Sequence, residues 1–188
     1  MTININDFKL KITNYITDRL SNMEDGTIQQ DILLDDYIAN NSKTIIRAKR
    51  LKQIQMIIGD LWQVAVGLYP GYINIGSGHT CGLDVLHETN IRALELKNRY
   101  NTDNSSARKN NYKKLSEFKK QNPDCECIYG VANDTIKKGR RKEIIVDEQK
   151  IIYLSGDLLF THIFGDDKEL ILNTMKNVVN EFVGSTSN

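Results

Sequence analysis

The stretch 82–97 constrains the fold more than any other part of this 188-residue chain. It contains two strand-like apolar runs separated by a short polar turn at 89–90, an arrangement typical of an antiparallel hairpin. Three charged residues, Asp84, Glu95 and Lys97, interrupt the apolar runs. We therefore interpret the hairpin as a candidate functional site.

The two-residue period of a strand determines which of these side chains meet. In an extended run over 91–97, Glu95 and Lys97 point to the same face. With a two-residue loop at 89–90, Asp84 lies directly opposite Glu95, and Cβ atoms paired in this way are about 4.5–5.5 Å apart. A three-residue loop would shift the register by one residue and, without a compensating bulge, turn Asp84 to the other face.

Two carboxylates this close repel each other, and a divalent cation would remove the conflict. Mg²⁺ prefers oxygen ligands and commonly binds one or two carboxylates together with water and substrate phosphate. The hairpin offers Asp84, Glu95 and the Leu96 backbone carbonyl as ligands, and Lys97 could orient or deprotonate a water molecule. The alternative is a partly exposed salt-bridge cluster that stabilises the fold by at most about 1 kcal/mol.

An acidic residue followed by a Glu/Asp-x-Lys triplet is too short a pattern to be evidence by itself. The chain repeats it with Asp103, Glu117 and Lys119, with Asp134, Glu148 and Lys150, and with Asp157, Asp166 and Lys168. The first repeat falls in a predicted helix, where residues two apart face different directions, and the other two place their triplets in polar turns. The hairpin is the one extended context.

Segments of helical and strand period alternate along the chain. This order favours an α/β domain with a mixed central sheet flanked by helices, and the length suits a single domain. We expect 1–42 to form an N-terminal helical region, 43–155 the catalytic core, and 156–188 the C-terminal helices. Helices are predicted at 7–20, at 28–38, after a cap at Ser42, at 105–121, 157–164 and 167–183, and strands at 72–75, in the hairpin, and at 127–131, 143–146 and 150–154.

The composition excludes several classes of protein. Hydrophobic residues make up 40% and charged residues 26%, which is typical of a globular domain. The longest uncharged apolar run, 151–154, is far too short to span a bilayer. No basic start followed by an apolar stretch is present at the N-terminus, so we expect a cytoplasmic protein with no membrane partner.

The cysteines and histidines do not form a recognisable framework. Three cysteines, an odd number, argue against a set of disulfides. Zinc binding by Cys81 with His79 and His87 is the alternative, and it is disfavoured because structural zinc sites usually have paired short-spaced ligands at both ends.

The residues around the hairpin resemble the type II restriction endonucleases of the PD-(D/E)xK nuclease superfamily. Gly82-Leu-Asp84 before a turn and Glu95-Leu-Lys97 on the next strand follow the order of that family. The loop Asn98-Arg-Tyr-Asn-Thr-Asp, a helix beginning Ser-Ser-Ala-Arg-Lys and the strand 127–131 continue it. The resemblance covers about residues 51–154 and departs from the family pattern in having no Pro before Asp84.

The resemblance implies a restriction-endonuclease-like core that hydrolyses double-stranded DNA, leaving a 5′-phosphate and a 3′-hydroxyl. It implies Mg²⁺ as the cofactor, Asp84 and Glu95 as metal ligands and Lys97 as the catalytic lysine. The family often adds an acid from the preceding helix, for which Asp60 is the nearest match. A homodimer is implied, with a heteromeric partner subunit as the alternative. A repair or junction-resolving nuclease and a non-catalytic DNA-binding module stay open.

Basic and amide side chains that follow the hairpin are candidates for contacting DNA. The net charge is only +1, so affinity for DNA must come from local clusters. Residues 105–120 carry six Lys or Arg against the single Glu117, and the helix N-terminus adds free N–H groups. A solvated helix face is the alternative, and the basic segment 137–142 is either DNA-contacting or merely solvated. We expect DNA contacts from Asn98, Arg99, Asn101, Asn104, Ser105, Ser106, Arg108, Lys109 and Lys113.

Overall fold

The computed structural model describes residues 3–24, 43–76, 80–101 and 103–185. The predicted helix at 28–38, the cap at Ser42 and His79 lie outside these residues. The helices are α1 (Ile5–Glu24), α2 (Lys43–Gly67), α3 (Ser105–Gln121), α4 (Gly156–Phe164) and α5 (Lys168–Ser185), with a 3₁₀ turn at Gly165–Asp167. The strands are β1 (Tyr72–Asn74), β2 (Val85–His87), β3 (Arg92–Arg99), β4 (Glu126–Asn133), β5 (Arg141–Val146) and β6 (Gln149–Ser155).

The strands form one six-stranded sheet in the order β1-β2-β3-β4-β6-β5. The pairs β3–β4 and β4–β6 are parallel, whereas β1–β2, β2–β3 and β5–β6 are antiparallel. Helix α3 provides the crossover between β3 and β4, as a parallel pair requires. This mixed sheet, with its flanking helices and N-terminal helical region, confirms the predicted α/β class and is consistent with a restriction-endonuclease-like fold.

Alternate residues of β3 enter two separate apolar cores. Leu94 and Leu96 lie in a core that includes residues of α1, α2, α4 and α5. Ala93 lies in a second core on the opposite face, together with Leu115 of α3. Because side chains alternate along a strand, Glu95 and Lys97 also face α3.

Capping residues determine where two of the helices begin. Helix α3 begins at the predicted place because the Asn104 side chain accepts a hydrogen bond from Ala107 N at 2.8 Å. Helix α1 begins earlier than predicted because the Asn4 side chain accepts a hydrogen bond from Asp7 N at 3.2 Å.

None of the helices in the described ranges has an apolar stretch long enough to cross a membrane.

Candidate active site

The hairpin has the predicted register along its paired residues. Val85 pairs with Leu94, and Leu86 pairs with Ala93, as required for Asp84 to approach Glu95. The connection differs from the predicted two-residue loop at 89–90: it is a β-turn in which Asn90 N donates to His87 O at 2.8 Å.

The regular ladder ends at Asp84. The Asp84 N–H donates to Leu94 O at 3.1 Å, so Asp84 and Val85 both lie against Leu94, as in a β-bulge. Asp84 is therefore not held against Glu95 by ordinary strand pairing. Instead its Oδ2 accepts a hydrogen bond from Leu96 N at 2.7 Å. The side chain thus takes the place of a strand carbonyl and lies beside the residue between Glu95 and Lys97.

Glu95 is buried more deeply than an ordinary surface carboxylate, with an exposed fraction of 3%. Its Oε1 lies 2.7 Å from Lys97 Nζ, while its Oε2 is buried without a hydrogen-bond partner. A buried charged oxygen that lacks a partner carries a desolvation cost. Glu95 Oε2 is thus available to bind a ligand at the site.

The electrostatics of the site follow from this burial. Burial and, secondarily, the charge of Glu95 raise the pKa of Asp84 to about 6, although the Leu96 N–H bond opposes the rise. Burial acts to lower the pKa of Lys97, but the hydrogen bond and charge of Glu95 outweigh it and raise that pKa above its usual value. Without a bound cation, the site therefore combines two neighbouring carboxyl groups with a protonated lysine.

The donor set fits a small hard cation. Asp84 and Glu95 supply carboxylate oxygens: Asp84 Oδ2 and Glu95 Oε1 are hydrogen-bonded within the protein, and Glu95 Oε2 is not. Mg²⁺ is commonly held by only one or two carboxylates. In the part of the chain that the structure describes, no three Asp, Glu, His or Cys side chains form a metal-binding group. Protein carboxylates would thus supply only part of the coordination, with substrate phosphate and water completing it.

Asp60 is not gathered with the two hairpin acids. It lies on α2, where its carboxylate is 3.6 Å from Arg19 and about half exposed. It does line the same open cavity as Lys97, which has a volume of about 500 Å³ and lies between α2 and the end of β3. Amide side chains supply much of the remaining lining: Gln55, Gln63, Asn98 and Asn101.

The zinc alternative gains no support. Cys81, Cys125 and Cys127 form no disulfide bond among the residues that the structure describes, and His87 Nδ1 lies 3.0 Å from the Thr89 hydroxyl. His79 lies outside the described residues.

Three of the residues predicted to contact DNA are already engaged within the protein. Asn104 caps α3, and Arg108 donates to Tyr100 O at 2.8 Å. The Asn98 side-chain oxygen accepts hydrogen bonds from Trp62 at 3.2 Å and Asn133 at 2.8 Å. Such contacts fix the loop after β3. The exposed candidates are Arg99, Asn101, Ser105, Ser106, Lys109 and Lys113, the last of which lies 3.8 Å from Glu117.

A buried polar cluster beside the site was missed by the sequence reasoning. Tyr129 pairs with Glu95 in the parallel ladder, and its hydroxyl donates to Asp103 Oδ2 at 2.8 Å. The Asn111 amide donates to the same oxygen at 2.7 Å. In the sequence Asp103 belongs to a chance Asp-Glu-Lys pattern and ends the loop 98–103 of the family resemblance, and neither feature predicts these contacts. Its real partners come from β4 and α3, and no local spacing reveals them.

The six-stranded mixed sheet and its flanking helices are consistent with a restriction-endonuclease-like fold. A family model described as Eco47II restriction endonuclease matches residues 10–184. The chain therefore belongs to the Eco47II restriction endonuclease family, and it is a type II site-specific deoxyribonuclease that binds DNA. No curated protein matches the chain.

Proposed function

We propose that the protein cleaves both strands of a specific double-stranded DNA sequence in a Mg²⁺-dependent reaction that leaves a 5′-phosphate and a 3′-hydroxyl. Asp84, Glu95 and the Leu96 carbonyl would hold the cation. The supporting observation is the buried acid pair. One oxygen of the Glu95 carboxylate, Oε1, contacts Lys97, and the other, Oε2, is buried without a hydrogen-bond partner among the described residues.

The hairpin residues have separate tasks in this reaction. A bound Mg²⁺ supplies Lewis-acid activation of the phosphodiester and lowers the pKa of an attacking water. Asp84 and Glu95 fix the position of that chemistry, because Glu95 lies on β3 inside the sheet and the Asp84 carboxylate accepts a hydrogen bond from the Leu96 N–H. In the metal-free protein the hydrogen bond and charge of Glu95 raise the pKa of Lys97. We assign Lys97 to orienting the water and offsetting charge on the phosphate, with removal of a proton from the water as the alternative.

Cutting of both strands requires two such sites, and we extend the proposal to a homodimer, for which a different partner subunit is the alternative. Asp60 is a candidate third acid because it lines the cavity beside Lys97. To join the site it would have to leave Arg19, from which it is 3.6 Å away.

The test is digestion of plasmid and genomic DNA with Mg²⁺ or with EDTA. We expect discrete fragments with Mg²⁺ alone, and we expect a ligase to rejoin them without prior phosphorylation. Glu95→Gln and Lys97→Ala should abolish cleavage and leave specific binding largely intact. Glu148→Gln, in a chance copy of the pattern at the β5–β6 turn, is the matched control and should cut normally.

Other outcomes would contradict the proposal. Cutting confined to branched DNA would indicate a junction-resolving nuclease. Retardation of DNA with no cleavage under any divalent cation would indicate a binding module. Equal loss of binding and cutting in Glu95→Gln would assign that residue to the fold.

A further inference from the structure

The basic segment 137–142 lies beside the C-terminal ends of β3, β4 and β6, which all end on the same side of the sheet. It connects β4 to β5, and its last two residues, Arg141 and Lys142, belong to β5 rather than to a loop. Ser155, the last residue of β6, pairs with Val131, which in turn pairs with Lys97. Ser155 N donates to Arg140 O at 3.0 Å, so this part of the segment lies at the level of the catalytic lysine, with β4 and β6 between them.

Strand pairing also places Lys142 of this segment on the catalytic face of the sheet. Glu95 pairs with Tyr129, Tyr129 with Tyr153, and Tyr153 with Lys142. Directly paired residues project from the same face of a sheet. Lys142 therefore projects from the same face as Glu95. Three strand spacings separate their backbones by about 14 Å, a distance that a few successive phosphates of a duplex span.

The connection is held in one conformation by a buried network. The Asp134 side chain, with an exposed fraction of 0%, pairs with Arg140 at 3.1 Å. It also accepts a hydrogen bond from the Ser155 hydroxyl at 2.6 Å. Gly139 has a φ of 78°, and a Cβ there would lie 1.8 Å from Ser155 O. A loop fixed in this way has little conformational entropy left to lose when it binds a ligand.

The charges at the two ends of the β5–β6 hairpin differ. At the turn end, Lys120 pairs with Asp147 at 3.7 Å, and Lys150 pairs with Glu143. At the catalytic end, four exposed cations have no carboxylate within ion-pair distance among the residues that the structure describes. These are Lys137, Lys138, Arg141 and Lys142. Positive charge is therefore left uncompensated at the end nearest to Lys97.

We infer that the segment 137–142 binds the sugar-phosphate backbone of the substrate duplex, several phosphates away from the bond that is cut. This inference rests on the proposed function, since it takes the duplex at Lys97 as its reference. The exposed side chains are ammonium and guanidinium groups, and the amides suited to reading base edges lie instead in the cavity beside α2. The contact consequently adds affinity and orientation equally for all sequences.

The test measures DNA binding in EDTA as a function of salt for the full chain and for Lys137→Ala/Lys138→Ala/Lys142→Ala. Each phosphate contact contributes about 0.9 to the slope of log K against log salt. We expect the slope to fall by about 2–3 in magnitude, and the affinity at about 0.1 M salt to fall at least tenfold on cognate and unrelated duplexes alike. The matching Lys→Arg triple variant should retain the wild-type slope.

The control removes the same charge from the other side of the protein. Lys9→Ala/Lys11→Ala/Lys176→Ala lies on α1 and α5 and should leave the salt slope unchanged. Equal slopes for wild type and the segment variant, or equal losses in both triple variants, would overturn the inference. A wild-type protein that neither binds nor cuts DNA would instead overturn the proposed function. Equal thermal unfolding of all variants establishes that the changes concern binding.

Discussion

The carboxylate of Asp84 accepts a hydrogen bond from the Leu96 N–H at 2.7 Å. The acid at the end of one strand is thereby attached to the backbone between the other two charged residues of the site. Because the regular ladder of strand hydrogen bonds ends at Asp84, this side-chain hydrogen bond holds the acid close to Glu95. This arrangement buries the carboxyl groups of Asp84 and Glu95 close together. Several measurable properties depend on that pair.

Replacing Asp84 by Asn should stabilise the cation-free protein at neutral and alkaline pH. The pKa of Asp84 rises from 3.8 to about 6 on folding, so folding takes up a proton between these values. The free energy of unfolding thus falls as pH rises through this window, by about 3 kcal/mol at 1.36 kcal/mol per unit. Urea unfolding in EDTA should show Asp84→Asn more stable by roughly 2–3 kcal/mol at pH 8 and by less than about 1 kcal/mol at pH 4. A gain of equal size at both pH values would exclude this cause.

Protons and Mg²⁺ should compete for the same carboxylate. Because Asp84 has a pKa of about 6 in the free protein, the Mg²⁺ concentration needed for half-maximal cleavage should rise about tenfold per pH unit below that value. Saturating Mg²⁺ should shift the acid limb of the pH–rate profile to lower pH. Initial rates measured across pH and Mg²⁺ concentration test this, and an acid limb that ignores Mg²⁺ would assign it to another group.

Tyr129→Phe should loosen the segment that follows β3. The substitution removes the 2.8 Å hydrogen bond to Asp103 and leaves a partly buried carboxylate with one donor fewer, at a cost of about 1–2 kcal/mol. We expect faster hydrogen exchange near Asp103 and the start of α3, together with weaker DNA binding. Tyr153→Phe, on the neighbouring strand, is the control. Unchanged exchange in Tyr129→Phe would mean that Asn111 alone holds the segment.

Asn98 and Asn101 should behave differently when each is changed to Ala, although both were predicted to contact DNA. The Asn98 side chain accepts hydrogen bonds from Trp62 and Asn133, so its loss should lower the free energy of unfolding by about 1–2 kcal/mol. Asn101 is exposed, and its loss should alter DNA binding without altering stability. Chemical unfolding and DNA titration of both variants distinguish the two roles, and equal stability of the variants would contradict this assignment.

Local patterns were sufficient to predict the parts of the protein that are built locally. The two-residue period gave the face shared by Glu95 and Lys97, and Asn104 marked the start of α3 correctly. The bulge at Asp84 could not be predicted, because it depends on a hydrogen bond to a residue twelve positions away.

Features built from distant segments were predicted poorly. The Asp103–Tyr129 contact joins the end of the β3 loop to β4, and neither residue carries a local signal for it. Likewise, Arg141 and Lys142 were predicted to lie in a loop, but they are in β5 because β6 provides the strand that β5 pairs with.

The parallel pairing of β3 with β4 has a consequence for the order of folding. The β2–β3 hairpin can form early because its two strands are adjacent in sequence, whereas β4 docks only after α3 has closed a long loop. Until then, Glu95 lacks its neighbour Tyr129 and remains hydrated. A partly folded or newly synthesised chain would therefore carry all three site residues yet lack the raised pKa values of Asp84 and Lys97. Nuclease activity becomes possible only at a late step of folding, once the central strands have joined.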